Sequence, residues 1–258
     1  CWQTTSGRQA HELKVGREGR ALSTMGYFRS SLIALSHDNR RLAVVTNHSD
    51  ISLWSLAEGR ELIALAGHGD ECSALAFSHD DSLLATGGYD YSVRIWRAAD
   101  GHPVRTLAGH KDWPSVVHWS PDDRFLASAS DDNTIRIWEL ASGKEVDLLI
   151  GHRDNIASIA LSPDGRSLAS YSAYDGLIKI WRLDGRGDRA TFIGHHSVIS
   201  ALAMTSDELT LASGDQSGEI HLWNLKTGSP RRTPLHDNDS SCLQILFSRD
   251  GRWLLGAF

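Results

Sequence analysis

Missing from this sequence is any apolar run approaching the roughly 20 residues that a membrane-spanning helix needs, and no charged-then-apolar signal segment opens it. Both absences predict a soluble, cytoplasmic protein with no membrane partner. Positive charge is also not concentrated. Lysine and arginine number 26 against 32 aspartates and glutamates, a formal net charge of −6. There is no basic stripe of the kind that phosphate neutralisation requires, so nucleic acid is not an expected partner. Cysteine is scarce: Cys1, Cys72 and Cys242 form neither a CxxC pair nor an even disulfide framework. That usage fits a reducing compartment and small buried thiols. No stretch carries helical periodicity. Because the first residue is Cys1, the chain is expected to be a fragment of a longer, multidomain protein.

What is present is a repeat. Tryptophan recurs in β-type segments at Trp54, Trp96, Trp138, Trp181 and Trp223, at separations of 42, 42, 43 and 42 residues. Gly-His keeps the same step at Gly67-His68, Gly109-His110, Gly151-His152 and Gly194-His195. A turn aspartate does so at Asp38, Asp80, Asp122, Asp164, Asp207 and Asp250. Three independent markers with one period define a repeat architecture.

Each period holds four short extended segments rich in Ile, Val, Leu and Trp. They are separated by turn chemistry such as Ser162-Pro163-Asp164-Gly165, the pattern of hairpin-linked strands. A single four-stranded sheet of about 40 residues cannot bury both of its apolar faces, whereas sheets packed face to face can. The expectation is an all-β propeller of four-stranded antiparallel blades. Five full blades and a partial sixth form one domain over residues 1–258, with irregular or incomplete end blades.

Gly-His, the Ser-Pro-Asp-Gly turn, Leu-Ala-Ser, an aspartate and a final Trp together resemble the WD40 family, and in particular tandem arrays of bacterial type. The copy from Gly109 to Trp138 matches nearly every diagnostic position. The Asp of the family's Trp-Asp pair is replaced by Ser55, Arg97, Glu139, Arg182 and Asn224. The resemblance implies structural polar networks of His68, Thr86, Asp90 and Trp96; of His110, Ser128, Asp132 and Trp138; and of His152, Ser170, Asp175 and Trp181. In such a set an indole N–H, a hydroxyl, an imidazole and a carboxylate can satisfy one another. The first copy lacks the set, with Val44 at the hydroxyl position and His48 at the aspartate position. The fifth has Ser217 at the aspartate position, and the sixth has His236 without its glycine.

Serine, histidine and aspartate are also the parts of a hydrolase triad, but a triad needs one activated, accessible nucleophile. Repetition in blade after blade argues for architecture, and no catalytic residue is assigned. His195-His196 is not read as a metal site, because neighbours on an extended strand point apart. Gly87-Gly88 opens no helix and cradles no phosphate. No cofactor is expected.

The resemblance further implies a scaffold that binds proteins or peptides through loops on one face. Candidate contacts are Trp113 and Tyr174 as anchors, with Tyr171, Tyr89, Tyr91, Lys111, Arg153 and His196 around them. The aromatic and arginine content is that of interface anchors. Two alternatives stand beside this reading: a sensor or autoinhibitory module of a larger signalling kinase or NTPase, and a propeller hydrolase.

Overall fold

The computed structural model describes residues 33–46, 49–65, 67–172, 174–183, 187–207, 209–227, 229–230, 235–236, 241–248 and 250–257. Cys1, His48 and the side chain of His236 lie outside the described parts. The chain divides into two compact units, one ending at Trp119 and the other beginning at Ser120.

Every regular element among the described residues is a strand. In the first unit, β1 (Ile33–Leu35), β2 (Arg41–Thr46), β3 (Asp50–Ser55) and β4 (Arg60–Leu65) form one antiparallel sheet in chain order. A second sheet is built from β5 (Cys72–Phe77), β6 (Leu83–Gly88), β7 (Ser92–Arg97) and β8 (Pro103–Ala108), and β9 (Pro114–Trp119) follows. In the second unit β10 (Phe125–Ser130), β11 (Thr134–Glu139) and β12 (Lys144–Ile150) pair in order. The next sheet holds β13 (Ile156–Leu161), β14 (Ser167–Ser172), β15 (Ile178–Arg182) and β16 (Gly187–Phe192). Then come β17 (Ile199–Met204), β18 (Thr210–Asp215) and β19 (Glu219–Asn224), with the short β20 (Ser229–Pro230) and β21 (Leu235–His236) both paired to β19. A two-stranded sheet of β22 (Gln244–Phe247) and β23 (Leu254–Ala257) ends the described chain. The all-β class and the four-stranded antiparallel organisation expected from the sequence are what the structure shows.

The hairpins between the first and second strands close on one recurring device. Ser78 Oγ donates to Asp80 Oδ1 at 2.7 Å while the Ser82 N–H donates to the same oxygen at 2.9 Å. The same hydroxyl-to-carboxylate bond joins Ser36 to Asp38, Ser120 to Asp122, Ser162 to Asp164, Thr205 to Asp207 and Ser248 to Asp250. These bonds hold the Asp38, Asp80, Asp122 and Asp250 carboxyls below their ordinary value. The next residue is left-handed in five of the turns, at Asn39, Asp81, Asp123, Gly165 and Gly251. Asn, Asp and Gly are the residues that tolerate this conformation.

Sheets pack face to face within each unit. Ala43, Ile51 and Leu53 of the first sheet share one core with Leu75, Leu84 and Trp96 of the second. In the second unit Ile178, Ile180 and Phe192 meet Ile199, Leu211 and Trp223, and Ala212 and Ile220 meet Cys242 and Ile245. Side chains such as Leu53 and Leu84 are wholly buried, each contributing about 1.5–3 kcal/mol relative to exposure. Cys72 and Cys242 are buried free thiols, and burial pushes Cys72 up to about 12.

Candidate functional site

The glycine of Gly-His is required by the tryptophan. A Cβ on Gly67 would lie 1.8 Å from the Trp96 ring, and one on Gly194 would lie 2.9 Å from the Trp223 ring. The tip of the indole therefore fills the space a side chain would need on the loop that carries the histidine, and its N–H is delivered to the strand hydroxyl.

In the second sheet the chain of donors is complete. Trp96 Nε1–H donates to Thr86 Oγ1 at 2.9 Å, Thr86 Oγ1 and His68 Nε2 are 2.7 Å apart, and His68 Nδ1 and Asp90 Oδ1 are 3.0 Å apart. The Thr86 hydroxyl accepts from the indole and donates to Nε2, leaving Nδ1–H for the carboxylate. Burial lowers the His68 pKa, which favours this neutral imidazole. Burial alone would raise Asp90, but hydrogen bonds from Ser92 and His68 outweigh it and hold the carboxyl far below its ordinary value. The fourth sheet repeats the arrangement: Trp181 to Ser170 at 2.8 Å, Ser170 to His152 at 2.7 Å, and His152 to Asp175 at 2.8 Å. In the β10 to β12 sheet Trp138 Nε1 donates to Ser128 at 2.8 Å, and Asp132 accepts from the Thr134 hydroxyl and backbone N–H. His110 is buried.

The fifth sheet corrects the reading of Ser217. His195 Nδ1 meets Asp215 Oδ2 at 2.8 Å, His195 Nε2 meets Ser213 Oγ at 2.6 Å, and Trp223 Nε1 donates to Ser213 at 2.8 Å. The carboxylate comes from a position two residues before the expected one, and Ser217 donates to it. The reason is strand alternation: residues 213 and 215 project from the same face of β18. In the second sheet the matching position is Gly88, where a Cβ would lie 2.2 Å from the His68 ring. A side chain there reaches the histidine directly.

The first sheet keeps the tryptophan without the network. Val44, 2% exposed, occupies the hydroxyl position, and the buried Trp54 Nε1 has no hydrogen-bond partner.

The hydroxyls of these sets are closed to substrates. Thr86, Ser128, Ser170 and Ser213 are each 0% exposed, so none offers a nucleophile at a surface.

Of the candidate contact residues, Tyr89 and Trp113 come together: their rings stack with centroids 4.0 Å apart at 29°, and both side chains are part-exposed. Tyr91 is 47% exposed with a left-handed backbone, and Lys111 is exposed. In the second unit Tyr174 is 59% exposed, and Arg153 and His196 are exposed. Tyr171 does not belong with them. It is 5% exposed in the core with Ile178 and Ile199, because every residue of β14 is buried. Sequence reasoning also left His195 without metal-ligating neighbours, whereas folding sets Glu219 and His221 beside it.

Repeated four-stranded antiparallel sheets, three of them pinned by an indole, a hydroxyl, an imidazole and a carboxylate among the described residues, define a blade-type repeat protein. Residues 59–97, 101–139, 143–182 and 188–224 match the WD domain, G-beta repeat family, WD40, and the chain belongs to that family. Repeats of this family generally mediate protein-protein interaction. Comparison with curated proteins gives no match.

Proposed function

We propose that this chain is a non-catalytic platform for proteins or peptides, with the Tyr89 and Trp113 stack as the anchor of its first unit. The observation that carries the reading is this stack. Two loops, β6 to β7 and β8 to β9, each bring one large aromatic ring to a part-exposed position. The stacked pair contributes about 0.5–1.5 kcal/mol beyond its burial, so the rings are held in place before a partner arrives and little side-chain entropy is lost on binding. Tyr91 and Lys111 extend the same loops. In the second unit Tyr174, Arg153 and His196 are the corresponding loop contacts. Against the hydrolase alternative, the network hydroxyls Thr86, Ser128, Ser170 and Ser213 are fully buried and offer no nucleophile to a substrate.

Quantitative capture of interacting proteins, comparing the unaltered chain with a Trp113→Ser, Tyr91→Ser double variant, tests the reading. A defined set of partners lost with the double variant, with circular dichroism unchanged, is the expected result. Equal capture by both proteins, or no specific capture by either, overturns it.

A further inference from the structure

The residue across the strand pair from each network hydroxyl faces the same side of its sheet. Thr86 pairs with Arg94, Ser128 with Arg136, and Ser170 with Lys179. In three sheets, therefore, a permanently charged side chain lies across from the network hydroxyl; Arg94 binds the network carboxylate Asp90 at 3.0 Å, Arg136 pairs with Glu145, and Lys179 donates to Thr191. In the fifth sheet Ser213 pairs with His221. Here Asp215 and Glu219 contribute two carboxylates, and two imidazoles stand where the other sheets have one imidazole and a fixed positive charge.

The His221 ring is stacked on Trp223, with centroids 5.2 Å apart at 13°, and meets the His195 ring edge-on at 4.3 Å. His221 is 7% exposed. Its Nε2 lies 3.0 Å from Glu219 Oε1, yet off the line a hydrogen bond needs, and it makes no hydrogen bond. A ring nitrogen and a carboxylate oxygen this close with no hydrogen bond from the nitrogen match an edge of a tetrahedral site. Ligand atoms at about 2.0–2.2 Å from a zinc ion stand roughly 3.3 Å apart. Ligand atoms of His195, Glu219 and His221 all lie within 4.8 Å of one another.

We propose that His221, Glu219 and His195 form a site for a divalent transition-metal ion of the zinc class. Two imidazoles and one carboxylate are a borderline nitrogen and oxygen set, suited to zinc rather than to calcium or magnesium. The ion supplies a positive charge at the register position that Arg94, Arg136 and Lys179 occupy in the other sheets. His221 and Glu219 are the primary ligands. His195 already spends both ring nitrogens on Asp215 and Ser213 and joins by exchanging one of those bonds for the metal. Metal binding releases any proton carried by the ligating nitrogens, so affinity rises with pH.

Calorimetric titration of Zn2+ into chelator-stripped protein tests the site. The variants are His221→Arg, which installs the residue type of the second and third sheets and so preserves the fold, and Glu219→Gln, which keeps the side-chain shape. His196→Ala is the control for the exposed neighbouring histidine. The unaltered chain and His196→Ala are expected to bind one tight equivalent and to gain thermal stability with Zn2+. Each ligand variant weakens binding at least about tenfold and loses the thermal shift. Equal binding by the His221→Arg protein, loss of binding in His196→Ala alone, or no tight equivalent in the unaltered chain overturns the proposal. These outcomes are independent of partner capture.

Discussion

The first and second sheets share a backbone and differ in their polar interior. Leu42 pairs with Trp54 as Leu84 pairs with Trp96, and both third strands shift register immediately before the tryptophan. Yet Trp96 ends a chain of four hydrogen-bonding groups, whereas the buried Trp54 Nε1 has none. The strand frame thus forms from apolar alternation and turn chemistry without the network. What the network adds is satisfaction of buried polar groups and a fixed link between the Gly-His loop and the strands. The buried Trp54 N–H carries a standing cost of about 1–3 kcal/mol, which the extensive apolar core of the first sheet absorbs.

The largest expected effect comes from making the second sheet resemble the first. Thr86→Val removes the acceptor for Trp96 and the donor for His68, leaving two buried groups unpaired. Urea unfolding is expected to show a loss of about 2–4 kcal/mol, and a change below about 0.5 kcal/mol would break the comparison. Next is Asp215→Ser in the fifth sheet, expected to cost about 1–3 kcal/mol, comparable to Asp90→Ser. If Asp215→Ser were neutral, the displaced carboxylate would not be part of the network.

Acid separates the two sheets further. The folded-state pKa values of His68 and Asp90 are both lowered, so the folded second sheet binds fewer protons than the unfolded chain. Its stability is full above the ordinary imidazole value of 6.5 and falls as pH drops through that value. A second loss follows below the ordinary carboxyl value of 3.8. His68→Gln should flatten the first of these two steps in the urea midpoint against pH. The smallest effect is the converse substitution. Val44→Thr offers Trp54 Nε1 an acceptor and should raise stability by at most about 1 kcal/mol, read as a small rise in thermal midpoint.

Much of the fold was legible because its signals are local. A tryptophan, a Gly-His pair and a turn aspartate at one period locate each sheet, and the turn serines and aspartates close the hairpins where the sequence places them. The network partners of His68 and His152 follow from family spacing. Asp215 was missed because spacing counts residues, whereas reach depends on which face of β18 a side chain takes. The period-two alternation of Ser213 and Asp215 was the available signal. Tyr171 was placed at the surface because aromatic loop chemistry was extended one residue into a strand buried throughout. The neighbours of His195 were invisible, since Glu219 and His221 approach it only when β19 pairs with β18.

A double-mutant cycle on Thr86→Val and Trp96→Phe tests most directly whether the repeated polar set acts as one structural unit. Phe keeps the aromatic packing and deletes the indole donor, so both variants interrupt the same bond. The paired variant is expected to cost less than the sum of the single ones, with a coupling of at least about 1 kcal/mol between these contacting residues. Additive costs would contradict it, because Trp96 and Thr86 would then contribute to stability independently.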